Sequence, residues 1–476
     1  FKLPSLDFIQ KEKIIILGCL VWSLIGCLQV QEINFIALKS SFLVPQNIIQ
    51  VGDTLVVQQN STPVAQKYLW NFGDGNTSDI RIPTHVYDSI GTYTIKLTVT
   101  KEDGVTQDSS TQQVSVLPAT IAPESSKFTT FGQATDDEVG LNFTSTLDGQ
   151  ATIIMAKKNI NILQLKKIDA TGEVWSRDIS NLSDGQVFGQ QVSPTNDGGF
   201  VVVGYIEDSP NENDAFILKV DKDGILQWQN VISTELNEIF NDVQDINGSL
   251  VVVGSSQTVG GQSSIQFEVY NSLDGVLVNK QEVSSSNWTV SGLQLTQDGG
   301  FVVVGFEDDA PLIVKFDPSF KIQWNTTLNI NGKARAVIQA SNRDFVFVGE
   351  TTNDAGDSTN AFVARVNEVG SQVWLQTLKL STESFTDVNF DKNENIVVLG
   401  THENTLTSKD IIVAKYTGQG VLETVKLIGG KEEDEGQKLA YSPTNQQFVL
   451  IGSTESFGTQ NNRKDIFIVV LDDNLN

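Results

Sequence analysis

The stretch Asp197-Gly-Gly-Phe-Val-Val-Val-Gly-Tyr205 returns almost unchanged as Asp298-Gly-Gly-Phe-Val-Val-Val-Gly-Phe306. Its reading decides the fold. A Gly-Gly pair can cradle phosphate, but that chemistry needs a GxGxxG or Walker lysine and a helix start that lends its positive dipole end. None of these follows either copy. The other reading is a tight Asp-Gly turn that feeds a strand buried on both faces, which explains an unbroken apolar run. Taking the glycine that closes each such run as a marker gives Gly204, Gly254, Gly305, Gly349, Gly400 and Gly452, spaced by 50, 51, 44, 51 and 52 residues. Ala156 holds the same place in an earlier copy, so the chain rebuilds one unit of about fifty residues seven times.

Each marker strand is followed by a second apolar strand, such as Asp214-Ala-Phe-Ile-Leu-Lys-Val-Asp221 or Ala310-Pro-Leu-Ile-Val-Lys-Phe-Asp317. Most copies then turn into a strand bearing tryptophan: Gly172-Glu-Val-Trp175, Gly224-Ile-Leu-Gln-Trp228, Lys321-Ile-Gln-Trp324 and Gly370-Ser-Gln-Val-Trp374. A weaker strand precedes each marker, as in Phe240-Asn-Asp-Val-Gln244. Four short antiparallel strands per unit, seven times over, predict a seven-bladed β-propeller across 127–476. The last unit has only three strands after its turn. Phe128-Thr-Thr-Phe-Gly132 parallels Val425-Lys-Leu-Ile-Gly429, so the earlier segment is expected to supply the missing outer strand and close the ring. Left unclosed, the edge would invite aggregation. The turn-plus-Trp unit resembles the tryptophan-docking repeats of quinoprotein-like propellers.

Residues 34–117 read differently. In Tyr93-Thr-Ile-Lys-Leu-Thr-Val99 apolar and polar residues alternate with period two, as in a half-buried antiparallel strand. Upstream, Trp70 and Phe72 share one side of a strand that turns through Gly73-Asp74-Gly75. Trp70-Asn-Phe-Gly-Asp-Gly75, then Pro83-Thr-His-Val-Tyr87, then Gly91-Thr-Tyr93 resembles a polycystic-kidney-disease (PKD) domain, which implies an immunoglobulin-like β-sandwich. The resemblance departs at Asn71, where that family usually has Asp. His85 is read as a structural histidine and Asp74 as a residue that bonds its own turn. A linker is expected over 118–126, so the whole chain is expected to be all-β.

The first residues look like an export leader: Lys11-Glu-Lys13 precedes an apolar run from Ile14 to Gly26. Ser23-Leu-Ile-Gly-Cys27 resembles a bacterial lipobox, which implies cleavage after residue 26, acylation of Cys27 and an outer-membrane lipoprotein that faces the periplasm or the surface. Cys19 and Cys27 are the only cysteines, so the folded part has neither a disulfide nor a thiolate metal site. A net charge of -26 argues against nucleic-acid binding, which depends on clustered Lys and Arg.

Chemistry is sparse on this ring. The adjacent cysteines of quinoprotein dehydrogenases are missing, as are the convergent arginines and Asp boxes of a sialidase. His402, read in a polar loop, is the single propeller histidine. The acidic loops Asp208–Asp214 and Glu432–Glu435 could hold calcium through oxygen ligands, although neither has EF-hand spacing. No cofactor and no catalytic residue is therefore expected. The expected role is a non-catalytic envelope module that binds protein or glycan. A scaffold subunit of an outer-membrane machine is one alternative, encouraged by resemblance to the propeller lipoprotein of barrel-assembly complexes. A propeller hydrolase or lyase acting through carboxylates is the other.

Overall fold

The computed structural model describes residues 37–476 apart from 63–64, 125–126, 133–136, 148–150, 159–161, 170–171, 181, 183–184, 210–211, 258–262, 284–286, 353–357, 381, 405–407 and 459–462. The leader and Cys27 lie outside the described residues. All regular structure in the described residues is β.

The N-terminal part is a sandwich. Its larger sheet orders strands Ile48–Gln50, Gln107–Leu117, Gly91–Thr100, Lys67–Asn71 and Thr77–Ser78 from edge to edge. Thr54–Val56 pairs with Thr84–Val86, and Phe42–Leu43 with Gln58–Gln59, to make the facing layer. The alternation read in sequence is realised: Ile95, Leu97 and Val99 are fully buried with Trp70 and Phe72 in one core.

Seven sheets follow, and in six of them the four repeat strands run in chain order from axis to rim. Blade 1 runs Glu138–Ser145, Ala151–Lys158, Ile162–Asp169, Gly172–Ile179; blade 2 runs Gln186–Pro194, Phe200–Ser209, Glu212–Val220, Leu226–Ile232. Blade 3 starts at axis strand Asn237–Ile246, blade 4 at Trp288–Leu295, blade 5 at Gly332–Gln339 and blade 6 at Thr382–Phe390. Blade 7 takes Asp434–Ser442, Gln447–Thr454 and Asp465–Asp472 from the end of the chain and Phe128–Phe131 from its beginning, with Thr130 opposite Phe467. The ring closes as its repeat predicts. The 118–126 segment is more than a linker: Thr120–Ile121 runs parallel to the outer strand of blade 6, Leu422–Ile428, and covers its open edge.

The apolar run is explained by alternation. Phe200 and Val202 pack into the core between blades 1 and 2, while Val201 and Val203 pack into the core between blades 2 and 3. Each second strand therefore serves two cores, and all four of these side chains are at most 1% exposed. Such a core also lies between blades 7 and 1, where Ile154 and Ala156 meet Ile451 and Ile466. Full burial of a Val or Phe contributes roughly 1.5–3 kcal/mol, so the ring is held mainly by these seams.

The Asp-Gly-Gly turn is fixed by an ion pair that reaches the third strand. Asp197 accepts from the Thr195 hydroxyl at 2.6 Å, from Gly199 N–H at 3.1 Å and from Lys219. Asp298 with Lys315, Asp344 with Arg365 and Asp391 with Lys415 repeat the clip in blades 4, 5 and 6 at 3.0, 2.9 and 2.9 Å. The opening motif is turn, clip and core strand.

Candidate binding site in the axial channel

Every axis strand carries a β-bulge at the same register: Gly140/Asn142, Gly189/Gln191, Phe240/Asp242, Val290/Gly292, Ala334/Ala336, Phe385/Asp387 and Gly436/Lys438. The marker residue of the second strand stands opposite each bulge. A Cβ on Gly204, Gly254, Gly305, Gly349, Gly400 or Gly452 would collide with the axis-strand carbonyl of Phe188, Ile239, Thr289, Lys333, Ser384 or Glu435. The marker glycines thus make room for the bulges, and the bulges aim one ring of residues at the axis. That ring lines a central cavity of about 730 Å³, the size range of ligand pockets.

The ring is polar on most of its circuit. Asp242 accepts from Leu293 N–H at 3.1 Å and Asp387 from Leu439 N–H at 2.7 Å, each stapling its blade to the next. Asn142 does the same by donating to the Gln190 carbonyl at 3.1 Å. Lys438 Nζ lies 3.2 Å from Asp387 Oδ1, and 33% of the lysine side chain remains open to the channel. Desolvation pushes the Asp242 carboxyl up to about 6, against the opposing pull of Lys438 and two backbone N–H groups. Desolvation of Lys438 is outweighed by Asp387 and Asp242, which raise its pKa. Gly292 and Ala336 leave the blade 4 and 5 side of the ring bare.

One mouth of the channel is aromatic. Tyr205 and Phe306 follow their marker glycines and line the cavity with Arg335 and Glu350, which pair at 2.7 Å. Phe188 stacks on Tyr205 with ring centroids 4.7 Å apart and planes 10° from parallel. Lys157 Nζ stands 4.2 Å from the Phe188 ring, and Lys333 Nζ stands 4.8 Å from Phe306. All these residues are half-buried apart from Arg335, which is exposed.

The residues singled out in sequence fall elsewhere. Trp175, Trp228, Trp324 and Trp374 lie on outer strands and cover the turn glycines Gly224, Gly275, Gly370 and Gly420 of the next blade, all with positive φ. Trp228 and Trp324 also donate to the carbonyls of Ser272 and Glu368 at 3.2 and 3.0 Å. They join blades at the rim and do not approach the channel. In the sandwich, the Trp70 indole donates to Ile80 O at 3.0 Å and the Tyr87 hydroxyl to Phe72 O at 2.9 Å. His85 stacks on Phe72 at 4.1 Å and meets Asp74 at 2.7 Å, while Asp74 also accepts from Asn76 N–H at 3.0 Å. Gly73 and Gly75 supply the turn with φ of 86° and 94°, and a Cβ on Gly73 would press on Thr94. Pro83 leads into the short strand that carries His85, Gly91 opens the long strand, and Tyr93 stacks on Tyr87 at 4.3 Å.

Two loop expectations are corrected. His402 sits in a strand of blade 6, Ile396–Asn404, fully buried and 3.2 Å from Glu383. Its neighbours Val398 and Leu399 continue the core run, so the strand reaches further than its polar residues suggest. Asp434 and Glu435 begin the axis strand of blade 7, where Asp434 is buried and accepts from Gly430 N–H at 2.9 Å and from Thr454. Among the described residues no group of three or more His, Cys, Asp or Glu could hold a metal ion.

The PKD domain family matches residues 43–116. Collagenase ColA of Bacillus cereus is 62% identical over 37 residues, 8% of this chain and 4% of that protein. A microbial collagenase of Vibrio alginolyticus is 43% identical over 61 residues, 12% of this chain and 8% of that protein. The chain therefore spans only a small fraction of the collagenases it matches. A quinonprotein alcohol dehydrogenase-like protein from Bacteroides thetaiotaomicron is 11% identical, covers 84% of this chain and 96% of its own, and has a TM-score of 0.43. The chain carries a PKD domain at residues 43–116, and its seven repeated four-stranded sheets form a seven-bladed β-propeller.

Proposed function

We propose that this protein is a non-catalytic binding or scaffold module of a bacterial cell envelope, exported and lipidated on Cys27. Its site is the aromatic mouth of the propeller channel, and its partners are envelope glycan or protein. The observation that supports this most strongly is the pair of half-buried aromatic faces, Tyr205 and Phe306, at the entrance to a cavity of about 730 Å³. Aromatic rings gain from apolar contact while tolerating polar surroundings, which suits sugars and peptides alike. The ring of amide and carboxylate groups below, with the Lys438 ammonium, can then accept hydrogen bonds and donate them. The PKD domain and the lipobox-like leader support placement at the envelope as an extended, anchored module. Titration of the full chain with envelope polysaccharides and with solubilised membrane proteins tests the reading. Saturable binding that is lost in Tyr205→Ala/Phe306→Ala, with an unchanged melting temperature, supports it.

One feature favours the enzyme reading: Asp242, with its raised pKa, shares the channel with Asp387 and Lys438. Carboxylates poised in this way can act as general acid and base. Turnover of a polysaccharide that disappears in Asp242→Asn would replace the binding reading with that one.

A further inference from the structure

The mouth holds two cation-capped aromatic platforms at one level of the ring. In the first, Lys157 of blade 1 stands over Phe188 of blade 2, which stacks on Tyr205. In the second, Lys333 of blade 5 stands over Phe306 of blade 4. Each cation comes from one blade and each ring from its neighbour, and blade 3 separates the two platforms. All of these residues occupy equivalent registers, as the cross-strand pairs Val139 with Lys157, Phe188 with Tyr205, Thr289 with Phe306 and Lys333 with Glu350 show.

These two lysines stand apart from most others in the ring. Lys166, Lys219, Lys280, Lys315, Lys409 and Lys415 all pair with carboxylates, as expected in a chain with 58 acidic and 32 basic residues. Neither Lys157 nor Lys333 makes an ion pair with a described carboxylate. Burial pushes Lys157 below its ordinary pKa, with Glu207 opposing at longer range. Half-buried ammonium groups over aromatic faces are attractive sites for an anion that brings an apolar surface with it.

We infer that the mouth takes an acidic glycan, with pyranose faces on Tyr205 and Phe306 and anionic groups at Lys157 and Lys333. A uronate or sulfated pyranose presents both features on one ring: a face of C–H groups and a charged substituent at its edge. The net charge of -26 repels polyanions at a distance, but screening limits that field to about 8 Å at physiological salt. A glycan whose charges are separated by whole sugar rings therefore tolerates it better than a polyphosphate, whose charges sit on adjacent phosphates. The inference rests on the mouth being a binding surface, as proposed above.

Calorimetric titration of the full chain with short oligogalacturonate, sulfated oligogalactan and neutral cello-oligosaccharide of matched length tests it. At least one acidic oligomer is expected to bind ten times more tightly than the neutral one, and which of the two does so identifies carboxylate or sulfate as the recognised group. Lys157→Gln/Lys333→Gln is expected to abolish that preference with the melting temperature unchanged, and Lys157→Arg/Lys333→Arg to restore it. Equal or tighter binding of the neutral oligomer overturns the acidic preference but keeps a glycan-binding mouth. Failure of every oligomer to bind overturns the acidic-glycan inference, and an accompanying membrane-protein ligand would leave the wider binding reading in place.

Discussion

The first and second strands of each blade teach opposite lessons. The second strand barely varies: Phe200-Val-Val-Val-Gly204 and Phe301-Val-Val-Val-Gly305 are identical because each must fill two inter-blade cores. The first strand keeps its bulge and changes what the bulge carries, from Asn142 and Gln191 through Asp242 and Gly292 to Asp387 and Lys438. Repetition at a fixed register marks packing. Variation at a fixed register, around an axis where seven copies converge, marks the place where a ring becomes specific.

The largest expected effect breaks the packing half of this contrast. Phe200 is 1% exposed in the core between blades 1 and 2, so Phe200→Asp places an unpaired charge there and leaves a cavity. A loss of more than about 4 kcal/mol in urea denaturation is expected, enough to unfold the blade. The same charge introduced on the axis strand, in Gln191→Glu, faces the channel and should cost under about 1 kcal/mol. Equal losses at the two sites would erase the distinction.

A smaller effect sharpens the link between the strands. In Gly305→Ala the new methyl meets the Thr289 carbonyl at the bulge, and overpacking of this kind costs about 1–3 kcal/mol. Blade 1 already carries Ala156 at this place, opposite Gly140 in the position of Val290. Val290→Gly is therefore expected to recover part of the loss in the double variant, measured by a mutant cycle in urea. Strict additivity would show that the marker glycine serves something other than the bulge.

The contrast also explains what could be read in advance. The second strands announce themselves because burial on both faces demands an unbroken apolar run, and the tryptophans because Trp175, Trp228, Trp324 and Trp374 each need a glycine turn to cover. Blade number follows from those alone, and the closing role of Phe128–Phe131 from its likeness to Val425–Gly429. The axis strands are faint in sequence because each bulge inserts one residue and breaks the period-two pattern, as Asn241-Asp242 does within the weak strand Phe240–Gln244. Superposing the seven weak strands on the residue two places after the bulge start would have exposed the channel ring. The clips were equally hidden: Asp197 and Lys219 are 22 residues apart and meet only after two turns. His402 reads as loop in sequence because polar residues in a long buried strand resemble one until their partner, here Glu383, is known.

The clips give the smallest effect and a pH signature. Burial opposes ionisation of Asp298, but the Thr296 hydroxyl, Lys315 and Gly300 N–H outweigh it and hold the carboxyl at about 2. An unfolded Asp titrates near 3.9, so the unfolded chain takes up the proton first as pH falls. The clip's contribution is therefore complete above about pH 4 and is lost as pH drops through 2. Asp298 is 45% exposed, and solvent screening limits the pair to about 1 kcal/mol. Lys315→Met keeps the buried stem, removes the charge and should lower the unfolding free energy from urea denaturation at pH 6 by that amount, with the gap to the parent narrowing between pH 4 and pH 2. A constant pH-independent offset is expected on top, because Lys315 also donates to Phe316 O at 2.9 Å. Blade 3 is the internal control, since Val269 occupies the lysine position and Asp245 instead binds Asn196 N–H of blade 2 at 2.9 Å. Val269→Met should thus leave the acid limb untouched, and an equal response at both positions would mean that the turn aspartates are fixed by their own loops rather than by the third strand.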